Sequence, residues 1–289
     1  MRFVSFFADG RASYGIAHRD GVFDLGARFG TVLPDLKSFL HARALGLTES
    51  LPSVSGVDYC SGEFSYRRVI GNPDKILCVG LNYEDHRKET GRPESEYPSI
   101  FTRFADSLIG HEEPILLPPV SSALDFEGEL AVVIGASGFR VPEDKALHLI
   151  AGYACFNDAT LRDWQRHTHQ FVPGKNFPGT GPFGPEIVTP DEVGALNDLP
   201  ISTRLNGEIV QKARLGDMIF SVARVISYVS GFTRLSPGDV IATGTPGGVG
   251  FKRSPQLFMK VGDRVEVEIG AVGLLSNAIV KEVPGELDR

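Results

Sequence analysis

Two acidic residues separated by one glycine are the first candidates for chemistry in this 289-residue chain. Glu127 and Glu129 stand directly before the apolar run Leu130–Ile134. In an extended strand, positions i and i+2 face the same way, so the two carboxylates would point to one place. They would repel each other beside a buried strand unless a divalent cation lay between them. The alternative is a polar strand edge whose charges lie in water.

A third carboxylate follows another strand-like run. Asp158 ends the segment Gly152–Asn157, and a strand end can hold a side chain rigidly while leaving it open to a ligand. With Glu127 and Glu129, it would complete an oxygen-only site, which favours Mg²⁺, Mn²⁺ or Ca²⁺ over zinc and leaves positions for water or substrate. Asp158 also suits the N-cap of a following helix, and the two roles are compatible.

A cation and an amide follow this third acid. If residues 159–167 are helical, Asp158, Arg162 and Gln165 fall on a single helix face. Arg162 and Gln165 could then stabilise an oxyanion or hold a carboxylate. The alternative is a solvated ion pair between Arg162 and Asp163.

Lys175 and two histidines lie in the next segment. Gly and Pro frame Lys175 within Phe171–Gly179, and such framing indicates a specified backbone rather than a merely solubilising lysine. His167 and His169 form an H-x-H pair of a kind that can bind zinc. Zinc is disfavoured here, because no Cys or further His stands nearby and the predicted hard-ion site already has three oxygen ligands.

An imidazole and a carboxylate are paired upstream of the acidic residues, in the first third of the chain. His86 and Glu89 stand at i and i+3, one helical turn apart, where the carboxylate can orient the ring and raise its basicity for deprotonating water. The alternative is a solvated histidine. Further on, the Gly-rich segment Leu235–Gly250 offers backbone N–H groups and Thr hydroxyls that suit a carboxylate, or it is an ordinary tight turn.

Strand-like runs outnumber helical ones and do not alternate with them, which predicts a mixed, largely β core. A small N-terminal α/β domain is expected over 1–70 and a catalytic domain over 71–289, and Asn206-Gly207 predicts a hairpin turn. The predicted strands are Phe3–Phe7, Ser13–Ala17, Lys75–Gly80, Leu124–Gly135, Ile150–Asn157, Leu199–Leu205, Glu208–Gln211, Val240–Thr243 and Val265–Ile269. The predicted helices are Leu36–Leu45, Asn82–Thr90, 138–149, 159–167 and 218–231, and 84–98 could be a mobile lid.

Composition excludes several classes of function. The net charge is −7 without a Lys/Arg block, which argues against a nucleic-acid partner and means that an anionic substrate would need locally placed cations. No apolar run approaches the about 18 residues of a membrane span, and the N-terminus is too short in apolar length for a secretory signal. Cys60, Cys78 and Cys155 lack a C-x-x-C spacing and read as reduced thiols of a cytoplasmic protein.

Taken together, these segments resemble the fumarylacetoacetate hydrolase family from about Lys75 to Val280. The resemblance implies an α+β, mainly β fold with a mixed β-roll catalytic domain, a homodimer, and Mg²⁺, Mn²⁺ or Ca²⁺ on Glu127, Glu129 and Asp158. The motifs that carry it are Gly80-Leu81-Asn82-Tyr83 with His86, Asp125–Leu130, Asn157-Asp158 with Arg162-Asp163 and Gln165, Gly174-Lys175, Leu205–Gln211, Leu235–Gly250 and Gly262–Ile269.

The resemblance also implies roles for individual side chains. Two departures from the family's pattern fall in the expected substrate region, so they bear on specificity: Arg103 replaces a common lysine, and the loop Arg166–Gly181 carries extra Pro and Gly. The implied catalytic residues are His86, Glu89 and Lys175. The implied substrate-binding residues are Tyr83, Arg103, Arg162, Gln165 and Thr245.

The predicted activity is divalent-metal-dependent hydrolysis of a C–C bond in acylpyruvate-type 2,4-dioxo acids. His86 would take a proton from water, hydroxide would attack the distal carbonyl, and the bond would break toward a pyruvate enolate stabilised by the cation and Lys175. The same enolate serves decarboxylation of an oxaloacetate-type 2-oxo acid, or isomerisation or hydration of a 2-hydroxydienoate. A non-catalytic binding protein is the alternative from another class, and the His86–Glu89 pair argues against it.

Overall fold

A computed structural model describes residues 1–48 and 56–283, so residues 284–289 of the predicted catalytic domain lie outside it. The first strands are β1 (Arg2–Ala8), β2 (Arg11–His18), β3 (Gly21–Asp24), β4 (Tyr59–Cys60), β5 (Ser65–Tyr66), β6 (Ile76–Gly80), β7 (Ser99–Arg103), β8 (Leu108–Ile109), β9 (Ile115–Leu117) and β10 (Leu124–Asp125). They are followed by β11 (Gly128–Ile134), β12 (Ile150–Asn157), β13 (Thr160–Leu161), β14 (Gly181–Val188), β15 (Pro200–Leu205), β16 (Glu208–Arg214), β17 (Val240–Ala242), β18 (Arg264–Ile269) and β19 (Gly273–Lys281).

The helices are short, and the sheets dominate, as the predicted mainly β, α+β fold class requires. None of the described helices is long and apolar enough to cross a membrane. The α-helices are α1 (Leu25–Phe29), α2 (Leu36–Ala44), α3 (Glu84–Thr90), α4 (Glu143–Ala146), α5 (Arg162–Gln165), α6 (Val172–Lys175), α7 (Pro190–Val193) and α8 (Val222–Phe232). Single 3₁₀ turns occupy Ala105–Ser107, Leu147–Leu149, Leu196–Asp198, Leu215–Asp217 and Gly250–Lys252.

The larger sheet has the order β4-β3-β2-β1-β14-β12-β11-β17-β6-β7, with β5 on β1 and β8 on β14. Its N-terminal strands join the rest through β1, which pairs antiparallel with β14 at Arg2↔Val188 and Phe3↔Ile187. The division near residue 70 stays a prediction, since strands from both sides of it belong to this one sheet.

A second sheet has the order β16-β15-β18-β19-β9. Its hairpin β15–β16 closes at Asn206-Gly207, where φ is +53° and +84°. Positive φ at both central residues of a two-residue turn is what Asn-Gly tolerates best, so the predicted hairpin is confirmed.

β11 is an interior strand of the larger sheet and pairs antiparallel with both β12 and β17. Both of its faces are buried, which explains the continuous apolar run instead of alternation. Leu130, Val132 and Ile134 pack into one hydrophobic cluster, while Ala131 and Val133 pack into another. Because β11 is paired along both edges and packed on both faces, it is a rigid support for Glu127, which precedes it, and for Glu129 near its start.

Two predicted elements around the candidate site are wrong in detail. The strand expected over Leu124–Gly135 is two strands, broken at Phe126 and Glu127. The helix expected over 159–167 is confined to Arg162–Gln165, because Thr160–Leu161 pairs with Leu124–Asp125 as β13 with β10. Asp158 is therefore not a helix N-cap, and the predicted single helix face for Asp158, Arg162 and Gln165 does not form.

Of two further predicted helices, one forms only in part and the other forms over most of its length. Residues 138–149 are helical only at α4 and the following 3₁₀ turn, since Gly138 and Pro142 stand in the first part of the segment. The helix predicted over 218–231 forms as α8, which begins after Ser221, whose hydroxyl accepts a hydrogen bond from Arg224 N–H.

Candidate active site

The three predicted metal ligands converge. Ligand oxygens of Glu127, Glu129 and Asp158 all lie within 4.8 Å of one another, and all three residues are buried. The pairing of β11 with β12 brings them together, because Gly128 lies opposite Asn157 in the register. Asn157 Oδ1 accepts from Glu127 N–H (3.0 Å), and Asp158 N–H donates to the Glu127 carbonyl (2.8 Å).

The glycine between the two glutamates is required by packing. A Cβ at Gly128 would lie 2.1 Å from Thr203 Oγ1 and 3.3 Å from Val267 Cγ1 of the second sheet. Only glycine fits there, and the two flanking carboxylates are left on the opposite side of the strand. The Glu-Gly-Glu spacing thus reflects both the ligand geometry and the contact between sheets.

Two cations hold the cluster from one side. Lys175 Nζ donates to Glu127 Oε2 (2.6 Å) and to Asp158 Oδ2 (2.5 Å), and Arg103 Nη1 donates to Asp158 Oδ1 (2.7 Å). Lys175 reaches this position because α6 lies directly against α5. A Cβ at Gly174 would be 2.5 Å from Gln165 N, which explains the glycine before the lysine.

Arg162 connects the cluster to a fourth acid. Its Nη2 donates to Glu127 Oε1 (2.5 Å), its Nε to Asp125 Oδ2 (2.8 Å) and its Nη1 to Gln165 Oε1 (3.0 Å). Asp125 is completely buried and also accepts Gly250 N–H (2.8 Å). The sequence reasoning assigned no role to Asp125, although its place beside Glu127 in the acidic motif was the available signal.

Burial and neighbouring charge act oppositely on the two glutamates. Burial, together with the Asp158 and Glu127 carboxylates, raises the pKa of Glu129 well above its usual range. Burial also acts to raise the pKa of Glu127, but Arg162 and Lys175 outweigh it and lower that pKa to about 2. A divalent cation would offset the repulsion that Glu129 experiences, and three carboxylate donors fit a hard ion.

The predicted imidazole–carboxylate pair forms on α3. His86 Nδ1 lies 2.7 Å from Glu89 Oε1, and Gly248 N–H donates to Glu89 Oε2 at 3.0 Å. A carboxylate can only accept, so Nδ1 carries the proton and Nε2 is left as the basic nitrogen. His86 is 6% exposed and lines the same cavity as Glu127 and Glu129.

The Gly-rich loop contacts protein carboxylates through three of its N–H groups. Gly244 N–H donates to Glu129 Oε2 (2.8 Å), Gly248 N–H to Glu89, and Gly250 N–H to Asp125. These three groups are therefore engaged within the protein, and binding of a substrate carboxylate by this loop stays a prediction. One loop therefore holds three carboxylates: the candidate metal ligand Glu129, Glu89 beside His86, and Asp125 beside Arg162.

Comparisons with known proteins identify the family. The family described as "Fumarylacetoacetate (FAA) hydrolase C-terminal" matches residues 75–280. The chain belongs to this family.

Relatives within the family differ in their named reactions. A human mitochondrial oxaloacetate tautomerase is 42% identical over 220 residues, 75% of this chain and 70% of the human one. The solved fumarylacetoacetate hydrolase of Exiguobacterium antarcticum is 32% identical with a TM-score of 0.84, covering 98% of this chain and 100% of that one. The 5-carboxymethyl-2-hydroxymuconate delta-isomerase of Mycobacterium smegmatis is 28% identical with a TM-score of 0.78, covering 98% and 100%.

Three predicted substrate-binding residues of this family member are buried, and two of them, Arg103 and Thr245, make hydrogen bonds within the protein. Arg103 is buried, and its Nη2 donates to Thr180 Oγ1 (3.0 Å), so this arginine supports Asp158 and makes no wall of the cavity. Tyr83 is 2% exposed, and its hydroxyl has no hydrogen-bond partner among the described residues. Thr245 lines the cavity, but its hydroxyl donates to the Gly128 carbonyl (3.0 Å).

The site opens into a cavity of about 590 Å³. Arg162, Gln165 and Lys175 line it, and their contact with a substrate stays a prediction. His169 lies on the wall, but the acidic trio is the one cluster with metal-binding geometry within 1–48 and 56–283, so no histidine zinc site forms there. The homodimer and the cytoplasmic location stay predictions.

Proposed function

We propose that this protein enolises a 2-oxo acid, interconverting the keto and enol forms of an oxaloacetate-type substrate with the help of a divalent cation. The supporting observation is that His86, which is paired with Glu89, lines the same cavity as the carboxylates of Glu127 and Glu129. An ion there, held by those two glutamates and Asp158, would polarise the 2-oxo group and offset the charge of an enolate. The human tautomerase relative supports the same reaction class.

Each residue's task follows from its contacts. His86 Nε2 is the free base, with Glu89 fixing the ring, so it removes a proton from C3 and leaves an enolate. Protonation of the enolate oxygen gives the enol, and reversal of both transfers returns the keto acid. Lys175 and Arg162 place positive charge beside the enolate oxygen, while Gln165 and Asp125 orient the Arg162 guanidinium.

The second candidate is the hydrolysis predicted from the sequence. In that reaction His86 takes its proton from water, hydroxide adds to the distal carbonyl of an acylpyruvate, and the C–C bond breaks to give a carboxylate and pyruvate. The similarity to the Exiguobacterium fumarylacetoacetate hydrolase over 98% of the chain favours it. Both candidates need the same enolate stabilisation, so they differ in whether a carbonyl is attacked.

Two coupled assays on one preparation test the proposal. Keto-oxaloacetate formed from the enol is consumed by malate dehydrogenase, and pyruvate released from acylpyruvates is consumed by lactate dehydrogenase. We expect Mg²⁺-dependent acceleration of the first reaction, loss with EDTA, and recovery on adding Mg²⁺ back. Pyruvate release without acceleration of tautomerisation would reject enolisation in favour of hydrolysis. If the protein neither accelerated tautomerisation nor released pyruvate, both candidates would be rejected.

A further inference from the structure

Asn82 is a completely buried polar residue that stands two positions before α3, the helix that carries His86 and Glu89. Its Nδ2 donates to the carbonyls of Thr243 (2.7 Å) and Phe220 (3.0 Å), and its Oδ1 accepts Phe220 N–H (2.7 Å). Because an amide has both donors and an acceptor, this one side chain contacts two segments that lie 138 and 161 residues away in the chain. The steps of the proposed reaction do not use Asn82.

The bond to Thr243 ends on a peptide unit that also contacts a candidate metal ligand. The Thr243 carbonyl accepts from Asn82, and the N–H of that same peptide, which belongs to Gly244, donates to Glu129 Oε2 (2.8 Å). Hydrogen bonds in such a chain polarise one another, so the bond from Asn82 strengthens the donor that faces Glu129. The approach is close, since a Cβ at Gly244 would lie 2.7 Å from Asn82 Cβ. One peptide thus connects Asn82 to the Glu129 carboxylate.

The entry to α3 depends on contacts of the same residue. Tyr83, at the N-cap, makes no side-chain capping bond within the described chain, whereas the Asn82 carbonyl accepts Ile219 N–H (2.7 Å). Leu81 on the cavity wall has a φ of +60°, a conformation that costs energy for a residue other than glycine and persists where surrounding contacts enforce it. The bonds of Asn82 supply such contacts. His86 lies in the first turn of the helix, so a displacement of Asn82 would move the imidazole.

We propose that Asn82 is a positioning residue that fixes the base His86 and the carboxylate of Glu129 relative to each other. The inference rests on the proposed function, because both groups act in the enolisation described there. Asn82 lies outside the cavity wall, so it acts without touching the substrate: through α3 on one side and through the Thr243–Gly244 peptide on the other. Proton transfer needs the base within hydrogen-bond reach of the substrate carbon, and a small misplacement lowers the rate strongly.

Asn82→Ala tests this role, and the chain offers a matched control. Asn277 on β19 is also a buried asparagine, and its Nδ2 donates to the carbonyls of Gly110 and Glu113, both at 2.8 Å. It stands outside the cavity wall. Asn277→Ala therefore removes a comparable amide from the protein interior away from the site. Both variants leave buried carbonyls without a donor, so both should lower the denaturant concentration at the unfolding midpoint.

Only Asn82→Ala should change catalysis and ion binding. At saturating Mg²⁺, its kcat for keto–enol interconversion of oxaloacetate should fall about tenfold or more per folded chain, while KM stays within about threefold. The Mn²⁺ dissociation constant should rise about tenfold, because the donor to Glu129 loses its support. Asn277→Ala should keep the parent values. A parent value of either kcat or Mn²⁺ affinity in Asn82→Ala, or equal losses in Asn277→Ala, would overturn the positioning role.

A milder substitution keeps the test decisive if Asn82→Ala does not fold. Asn82→Ser retains a hydroxyl that can make one hydrogen bond in place of the three that the amide makes. Its kcat and its Mn²⁺ affinity should each fall about threefold or more. A parent value for either quantity in folded Asn82→Ser would overturn the proposal.

Mn²⁺ titration of the same samples separates this inference from the proposed function. If the parent protein did not accelerate tautomerisation, enolisation would be rejected, and a weaker Mn²⁺ affinity in Asn82→Ala than in Asn277→Ala would still support the connection from Asn82 to Glu129. Tautomerisation by the parent protein, with the same kcat and Mn²⁺ affinity in the two variants, would reject the positioning role and leave enolisation standing.

Discussion

At the inner end of the cavity the charged groups are buried and paired, whereas three other cations that line it, Arg92, Arg166 and Lys252, are exposed and lack acidic partners among the described residues. Glu127 alone contacts both Lys175 and Arg162, and Asp158 contacts Lys175 and Arg103. Removing one member of such a buried network leaves another charge uncompensated. The exposed cations, on the other hand, can change without disturbing the core, so we expect substitutions of the buried groups to affect turnover more than substitutions of the exposed cations.

The largest effect on turnover should come from the buried carboxylates. Glu129→Gln keeps the size of the side chain but removes a ligand charge, so turnover should fall at least about 10³-fold, together with divalent-ion affinity. Turnover at saturating Mg²⁺ and ion titrations measure the two effects. Glu208→Gln, an exposed change at the start of β16, is the matched control and should retain activity. Near-normal turnover in Glu129→Gln would contradict the expectation that the buried charged groups matter more for turnover than the exposed cations.

The dyad should come next. His86→Gln removes the basic nitrogen while leaving the three carboxylates intact, so turnover should fall about 10²-fold or more, with divalent-ion affinity retained. His148→Gln, an exposed histidine outside the cavity wall, provides the control. If ion affinity fell as far as turnover, His86 would belong to the ion site and not to proton transfer.

The third effect tests the hydrogen bond from Arg103 to the candidate ligand Asp158. Arg103→Lys keeps the charge but loses the fork that reaches Asp158, the Ala159 carbonyl and Thr180, so divalent-ion affinity should fall about tenfold. A Mn²⁺ titration measures it, with Arg19→Gln as the exposed arginine control. Unchanged ion affinity together with a weakened affinity for the 2-oxo acid would support the predicted substrate-binding role of Arg103.

The smallest effect concerns the free energy of unfolding and a histidine outside the cavity, His111. Burial lowers the pKa of His111 below its usual 6.5, and its Nδ1 accepts Ser276 N–H at 3.0 Å. The unfolded chain therefore takes up the proton first, so this contribution is complete above about pH 6.5 and is lost as the pH falls below it.

Replacing His111 isolates that contribution. His111→Gln should flatten the fall of the unfolding free energy below about pH 6.5 by less than about 1 kcal/mol, as denaturant titrations at several pH values would measure. His148→Gln should leave the curve as in the parent protein. A steeper fall in His111→Gln would mean that the folded protein stabilises the charged imidazole.

The sequence predicted the convergence of the candidate metal ligands better than the structure around them. Glu127, Glu129 and Asp158 were identifiable because strand alternation and residue type are local properties. The pairing of Thr160–Leu161 with Leu124–Asp125 is non-local, and it replaced the helix predicted there. Likewise, the carboxylate partners of Gly244 and Gly250 stand more than a hundred residues away in the chain, so spacing could not show that these N–H groups were already engaged.

Titration of the metal-free protein with Mn²⁺, read by electron paramagnetic resonance with and without oxalate, tests the central claim most directly. The account predicts saturable binding of a single ion per chain, tightened by oxalate as a mimic of the 2-oxo acid, and abolished in Glu129→Gln. Absence of specific binding in the parent protein, or equal binding in Glu129→Gln, would contradict it.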